Sequence, residues 1–164
     1  MLPLALYAQV DTVRPDEKPS EPTKKSELSL DLHIRDGICR NTSPVMIDLI
    51  FKNSSIQPQK LCIYNFYESL IKLDIRSSSG KKLEFNPKLV KADKITEDDW
   101  VIIPPGRAYK RTFSLTRRVI DATGYRIAPD NYSVKAFYEG CAKFDPAIPD
   151  QKIESNWLYL LITD

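Results

Sequence analysis

The residues of this 164-residue chain that could do chemistry are few and scattered. His33 is its only histidine, and the alternation of the surrounding residues turns it away from the face that carries Leu30 and Leu32. A general base needs a nucleophile and an orienting partner within hydrogen-bond reach, and the sequence around His33 has no pattern that supplies them. We therefore expect a solvated strand histidine and a protein without catalytic residues, cofactor or resident metal.

Three cysteines, Cys39, Cys62 and Cys141, form no Cys-x-x-Cys pair of the kind that zinc sites use. If strands alternate in direction, Cys62 near the start of the predicted strand 61–64 and Cys141 just past the predicted strand 132–138 lie at the same end of a sandwich. These two strands would be neighbours in an immunoglobulin-like topology, and Cys39 would lie at the opposite end. We therefore predict a Cys62–Cys141 disulfide that leaves Cys39 unpaired or intermolecular, and three reduced thiols are the alternative.

Two charged clusters could also bind a ligand. Glu97-Asp98-Asp99 offers carboxylates that calcium prefers, although adjacent acids rarely converge on one ion, and a solvated loop is the alternative. Lys110, Arg117 and Arg118 belong to a basic stretch around a predicted strand, where phosphates or acidic glycans could bind. The alternative is that these are edge-strand charges that discourage aggregation.

The overall composition is that of an ordinary globular domain, with 42% hydrophobic and 28% charged residues and a net charge of +2. Nucleic-acid binding usually needs a strong basic excess, so we expect no nucleic-acid partner. No apolar run reaches the ~20 residues of a membrane span, so we expect no transmembrane segment.

The chain divides into three segments. Residues 1–8 are apolar and end in a small residue, as the remnant of a secretory signal peptide would, although no basic residues precede them. Residues 9–26 are rich in proline and charge and are predicted to be a flexible tether. Residues 27–164 are predicted to be one domain, and the whole protein is expected to be secreted or periplasmic and associated with the cell envelope.

The domain has the alternation that is typical of β-strands. Leu28 to Ile34 alternates apolar and polar residues, and so do the segments that start at Val45 and Ile71. Further strands are predicted at 61–64, 83–85, 100–103, 109–115 and 132–138, with one helical turn at 96–99 and no long amphipathic helix. Trp157, Tyr159 and Leu161 then close the domain.

Short strands at this spacing predict an all-β fold, an immunoglobulin-like antiparallel β-sandwich of about seven to nine strands. Tyr132 lies two residues before Val134, the position at which antibody domains place their second core cysteine. This spacing predicts a tyrosine corner. Because the cysteine itself is missing there, we expect packing to hold the two sheets together.

The segment from Val45 to Tyr138 resembles the immunoglobulin-like N-terminal domain of deuterolysin and peptidyl-lysine metalloendopeptidases. The shared frame consists of Asn53-Ser54-Ser55, the strand pair from Leu73 to Phe85, Pro105-Gly106, Thr112-Phe113-Ser114-Leu115, Gly124-Tyr125 and Tyr132-Ser133-Val134. The bacillus intracellular proteinase inhibitor domain has a similar Pro-Gly turn. Those peptidases carry a separate His-Glu-x-x-His zinc domain that this chain lacks. The resemblance therefore implies the accessory module without the protease.

We expect a non-enzymatic binding module for a protein partner. Its predicted interaction loop contains Phe144, Asp145, Pro146 and Ile148, because exposed apolar groups on a loop favour protein contact. The similarity of fold suggests a proteinase inhibitor as one alternative. A carbohydrate-binding accessory module is another, and it would need solvent-facing aromatic residues such as Tyr67.

Overall fold

The protein is described by a computed structural model that covers residues 27–35, 38–41, 43–64, 70–83, 94–123 and 127–164. The predicted signal remnant 1–8 and tether 9–26 lie outside these residues, as do Tyr67 and Gly124-Tyr125.

The described residues form eleven strands, one α-helix and one 3-10 turn. The strands are β1 Leu28–Ile34, β2 Ile38–Arg40, β3 Met46–Asn53, β4 Gln59–Cys62, β5 Ile71–Ser77, β6 Lys82–Leu83, β7 Trp100–Ile103, β8 Ala108–Ser114, β9 Asp130–Tyr138, β10 Ile153–Glu154 and β11 Leu158–Thr163. The predicted helical turn is confirmed as a 3-10 turn at Glu97–Asp99, and a helix, α1, spans Leu115–Thr123.

The strands form two main sheets and a ribbon. One sheet has the order β1-β3-β8, and the other has the order β2-β11-β9-β5-β6 with β10 added beside β9. Strands β4 and β7 pair with each other. Every pair is antiparallel except β2 with β11. The predicted all-β sandwich is confirmed, and its immunoglobulin-like topology stays a prediction that this strand order supports.

The core lies between the inward faces of the two main sheets. Alternate residues of β9, from Tyr132 to Tyr138, are buried, and so are Leu28, Leu30 and Leu32 of β1. Across the core the ring of Phe51 meets that of Tyr138 edge-on, with the centroids 5.3 Å apart. Buried aromatic pairs in this geometry add to the stabilisation from area burial.

Tyr138 connects β9 to β4 through its hydroxyl group. This hydroxyl accepts a hydrogen bond from the Cys62 backbone N–H at 3.1 Å and donates one to the Cys62 carbonyl at 3.0 Å. Burial raises the pKa of the phenol far above its usual value, so the hydroxyl stays protonated and able to donate. One side chain therefore satisfies both backbone groups of a buried strand residue.

A second connection joins β1 to the other sheet. The side-chain oxygen of Asn156 accepts from Leu32 N–H at 2.8 Å, and its amide donates to the Leu32 carbonyl. Next to it, the Ser155 hydroxyl accepts from Ala136 N–H at 2.8 Å. Polar groups on the open edge of β1 are thereby paired by side chains where no further strand continues the sheet.

The predicted corner at Tyr132 has the expected hydrogen bond. The Tyr132 hydroxyl donates to the carbonyl of Ala128, four residues upstream, at 2.9 Å. This is the local contact by which a tyrosine corner fixes the start of a strand.

Helix α1 differs from the sequence prediction, which extends a strand to Leu115 and places no helix after it. The Ser114 hydroxyl accepts from Arg117 N–H at 3.2 Å, as an N-cap does, and Leu115 and Val119 are buried. The helix has only nine residues and contains β-branched residues, which have modest helix propensity. A short helix of this composition gives a weak periodic signal.

We expect Tyr138→Phe to destabilise the fold by about 1–3 kcal/mol, because both backbone groups of Cys62 lose their buried partner. Urea unfolding measures the change, and Tyr159→Phe serves as the control because Tyr159 is 75% exposed. The control should change the free energy of unfolding by less than about 0.5 kcal/mol. Equal effects of the two substitutions would contradict the assigned role of the Tyr138 hydroxyl.

Candidate functional site

The most distinctive surface is the solvent side of β5, β9 and β11, which we call the outer face. Its residues occupy the alternate strand positions that do not enter the core, and Trp157 just before β11 joins them. The outer face comprises Lys72, Asp74, Arg76, Ser133, Lys135, Phe137, Trp157, Tyr159 and Leu161.

The last strand presents its aromatic side to solvent. Tyr159 is 75% exposed and Leu161 is 38% exposed, whereas Leu160 and Ile162 are buried. The last strand, predicted around Trp157, Tyr159 and Leu161, is present as β11 with Tyr159 and Leu161 on its solvent side. Both sets of alternate residues in β11 are largely apolar, so alternation could not decide the inward side. The pairing of Tyr159 with Ser133 and of Leu160 with Tyr132 settles it.

Two cations lie over the aromatic rings of the outer face. The guanidinium carbon of Arg76 is 5.3 Å from the centre of the Trp157 ring. The ammonium of Lys135 is 5.9 Å from that ring and 5.3 Å from the ring of Phe137. Contacts of this kind are favourable and orient Trp157 and Arg76 towards each other.

Asp74 positions the guanidinium of Arg76. It lies on β5 two residues from Arg76, and it accepts hydrogen bonds from Arg76 Nη2 at 2.7 Å and Nε at 3.2 Å. The hydrogen bonds from Arg76, with the charges of Lys82, Arg76 and Lys135, outweigh burial and hold the pKa of Asp74 below its usual value. The sequence analysis did not single out this pair, although Asp74 and Arg76 are two residues apart and therefore lie on one face of the predicted strand.

A shallow depression of about 300 Å³ adjoins Tyr159 at one end of the outer face. Its lining is polar apart from the aromatic rings and Leu160, and includes Ser77, Ser78, Asn131 and Ser133. Hydroxyl and amide groups beside an exposed ring can both donate and accept hydrogen bonds to a ligand.

The interaction loop stays a prediction, and its two large apolar residues are less exposed than a docking surface would have them. Phe144 and Ile148 are half-buried and pack against the core, and the Phe144 ring meets that of Tyr64 at 5.3 Å. Asp145 and Pro146 are exposed. The Asp145 carboxylate accepts from Ala147 N–H at 3.0 Å, which makes a local turn of this segment.

The three predicted basic-patch residues lie on two different elements. Lys110 is on β8, and its ammonium is 2.6 Å from the buried carboxylate of Asp48. Arg117 and Arg118 are on α1, where Arg117 is exposed and Arg118 is half-buried. Because Lys110 is committed to Asp48, its charge is largely neutralised within the protein.

Cys62 and Cys141 form a disulfide with a Cα–Cα distance of 6.0 Å, and Cys39 is buried outside it. The prediction that the strands beside Cys62 and Cys141 are neighbours is wrong. Cys62 ends β4 of the ribbon, whereas Cys141 follows β9 of the larger sheet. The disulfide thus joins the β4–β7 ribbon to the larger sheet and does not join the two main sheets to each other.

The remaining candidate residues have structural surroundings. His33 is exposed on β1. In the acidic cluster, the Asp99 carboxylate accepts from Thr96 N–H at 2.7 Å and so caps the 3-10 turn. Among the described residues, no three His, Cys, Asp or Glu side chains converge as a metal site. The same part of the chain has no helix with the length and apolar character that a membrane crossing requires.

Comparison with known proteins found no matching family model and no matching curated protein.

We expect replacement of both Cys62 and Cys141 by alanine to destabilise the fold by about 4 kcal/mol, because the disulfide closes a loop with a sequence separation of 79 residues. Urea unfolding measures the loss, and Cys39→Ala controls for removal of a buried thiol. If the double variant were no less stable than the control, the disulfide would not constrain the unfolded chain as described.

We expect Asp74→Asn to lower stability at pH 7 and to lose that effect in acid. The pKa of Asp74 is depressed in the folded state, so its contribution is present above the unfolded-state pKa of about 3.9 and is lost as pH falls through the folded value. Urea unfolding of both proteins at pH 7 and below pH 3 measures the difference. A gap of equal size at both pH values would contradict the Asp74–Arg76 ion pair.

Proposed function

We propose that this chain is a non-enzymatic, exported binding module that docks a protein partner on its outer face. The observation that carries the proposal is the solvent exposure of Tyr159 and Leu161 beside Trp157, on a rigid sheet whose opposite side is core. Exposed neighbouring apolar groups of this kind mark interaction sites.

The residue types on the outer face favour a protein partner. Trp, Tyr and Arg are the residues that most often dominate protein interfaces. Here Arg76 lies over the Trp157 ring, and Tyr159 is separated from Arg76 by Ser133 on the strand between them. The solvent side of the β1-β3-β8 sheet differs, because its described residues include ion pairs but no exposed large apolar side chain. Lys52 lies 2.6 Å from Asp31, and Lys110 lies 2.6 Å from Asp48.

The disulfide supports the proposed export, because disulfides form and persist in oxidising compartments. The secreted or envelope location, the deuterolysin-like accessory module and the proteinase-inhibitor alternative stay predictions from the sequence. The inhibitor alternative rests on fold resemblance alone, and fold does not determine function.

A carbohydrate ligand is the second candidate, and the depression beside Tyr159 is what favours it. Asn131 and Ser133 line this depression at alternate positions of β9, and the exposed Tyr159 ring pairs across from Ser133. An aromatic surface beside hydroxyl and amide groups suits a neutral sugar ring. Competition by a soluble oligosaccharide that requires Tyr159 would favour this candidate over a protein partner.

We expect the double substitution Tyr159→Ala and Leu161→Ser to abolish capture of the partner from host extract and medium. The matched control is Ile56→Ser with Ile102→Ser, which removes two exposed apolar side chains, 87% and 60% exposed, that lie outside the outer face. Affinity capture with quantitative mass spectrometry measures recovery, and circular dichroism checks that both variants fold.

One protein recovered in stoichiometric amount by the native chain and the control, but not by the outer-face variant, agrees with the proposal. Loss of capture in the control alone, or equal capture by all three proteins, contradicts docking on the outer face.

A further inference from the structure

Cations outnumber carboxylates along the β5 side of the outer face. Asp74 is shared by Arg76 at 2.7 Å and Lys82 at 4.0 Å. At the other end of β5, Glu139 is shared by Lys72 at 2.6 Å and Lys143 at 3.8 Å. Four cations thus divide two carboxylates between them.

In each of these pairs the side chain of the cation is more exposed to solvent than that of the carboxylate. The side chains of Lys72, Arg76 and Lys82 are 59%, 50% and 62% exposed. Their carboxylate partners Asp74 and Glu139 are 11% and 27% exposed. In the pair of Lys135 with Glu154 the carboxylate is the more exposed side chain, at 60% against 19%. The positive surface therefore ends at Glu154.

Arg76 keeps donors for an outside ligand. A guanidinium has five N–H donors, and Asp74 accepts one from Nε and one from Nη2. The remaining donors lie at the edge of a planar group that matches a carboxylate in bidentate geometry. Lys82, at 4.0 Å from Asp74, is too far for a hydrogen bond to that carboxylate.

Two of the positive groups and the exposed Tyr159 lie on one row of the sheet. Lys82 pairs with Arg76, Arg76 with Ser133, and Ser133 with Tyr159. Neighbouring strands are about 4.8 Å apart, so this row spans about 14 Å from Lys82 to Tyr159. An extended peptide advances about 3.3 Å per residue, so a segment of about five residues covers the distance.

We infer that the partner presents an extended acidic segment, with carboxylates that meet Arg76 and Lys82 under the added attraction of Lys72, and an apolar or aromatic residue that packs on Tyr159. This inference rests on the proposed function, because it names the chemistry of the partner at the same surface. A segment with both kinds of side chain complements the outer face better than a bare polyanion, which leaves the apolar surface of Tyr159 and Leu161 uncovered.

A fluorescent peptide of alternating glutamate and tyrosine is the probe, and its counterpart with glutamine in place of glutamate is the neutral control. Fluorescence anisotropy with the full chain measures affinity at ionic strengths of about 0.01 M and 1 M, where the Debye length falls from about 30 Å to about 3 Å. We expect the acidic peptide to bind at least tenfold more tightly than the neutral one at low salt, and to lose that advantage at high salt.

Two charge-reversal variants locate the interaction. Lys72→Glu with Lys82→Glu should reduce the affinity for the acidic peptide at least tenfold. Lys52→Glu with Lys60→Glu changes the net charge equally outside the outer face and should have a much smaller effect, because both lysines lie on strands other than β5, β9 and β11. Equal effects of the two variants would overturn the inference.

The remaining outcomes separate this inference from the proposed function. If both peptides bind equally and Tyr159→Ala abolishes both, the acidic partner is wrong while docking on the outer face stands. If neither peptide binds but heparin does, with the same dependence on Lys72 and Lys82, the ligand is an anionic polysaccharide and the inference is overturned. Absence of binding to all three probes at low salt also overturns it.

Discussion

The rest of the structure depends on two attachments to Cys62, one from Tyr138 and one from Cys141, three residues further along the chain. The Tyr138 hydroxyl bonds both backbone groups of Cys62, and the Cys62–Cys141 disulfide joins the same two chain segments covalently. Together they hold the end of β9 against the ribbon that contains β4. Since side chains alternate along a strand, burial of Tyr138 also determines which side of β9 faces solvent.

The outer face is a consequence of that register. With Tyr132, Val134, Ala136 and Tyr138 inside, Ser133, Lys135 and Phe137 must face outward, between Arg76 on one neighbouring strand and Tyr159 on the other. Asp74 then pairs with Arg76 rather than with solvent, and Arg76 lies over Trp157. A one-residue slip of β9 would bury Lys135 and expose Val134, so the core and the candidate binding surface are specified together.

The sequence predicts the parts of this fold that depend on local alternation. Leu28 to Ile34, the Tyr132 corner and the turn at Glu97–Asp99 follow from patterns within a few residues. The outer face does not, because it depends on pairing between distant strands. Apolar residues occupy both sides of β11, so only its register with β9 separates Leu160 from Tyr159. The loop at Phe144 illustrates the same limit, since its burial depends on contact with the distant Tyr64.

We propose that the outer face is open in the isolated chain and is covered by a protein partner in its native setting. Hydroxyl-radical footprinting of the tagged chain, alone and in host extract, tests this directly at Tyr159 and Trp157. We expect modification of both to fall in extract, while Tyr109 on β8 and Trp100 on β7 are modified to the same degree in both conditions. Unchanged modification of Tyr159 together with protection of Tyr109 or Trp100 would contradict it.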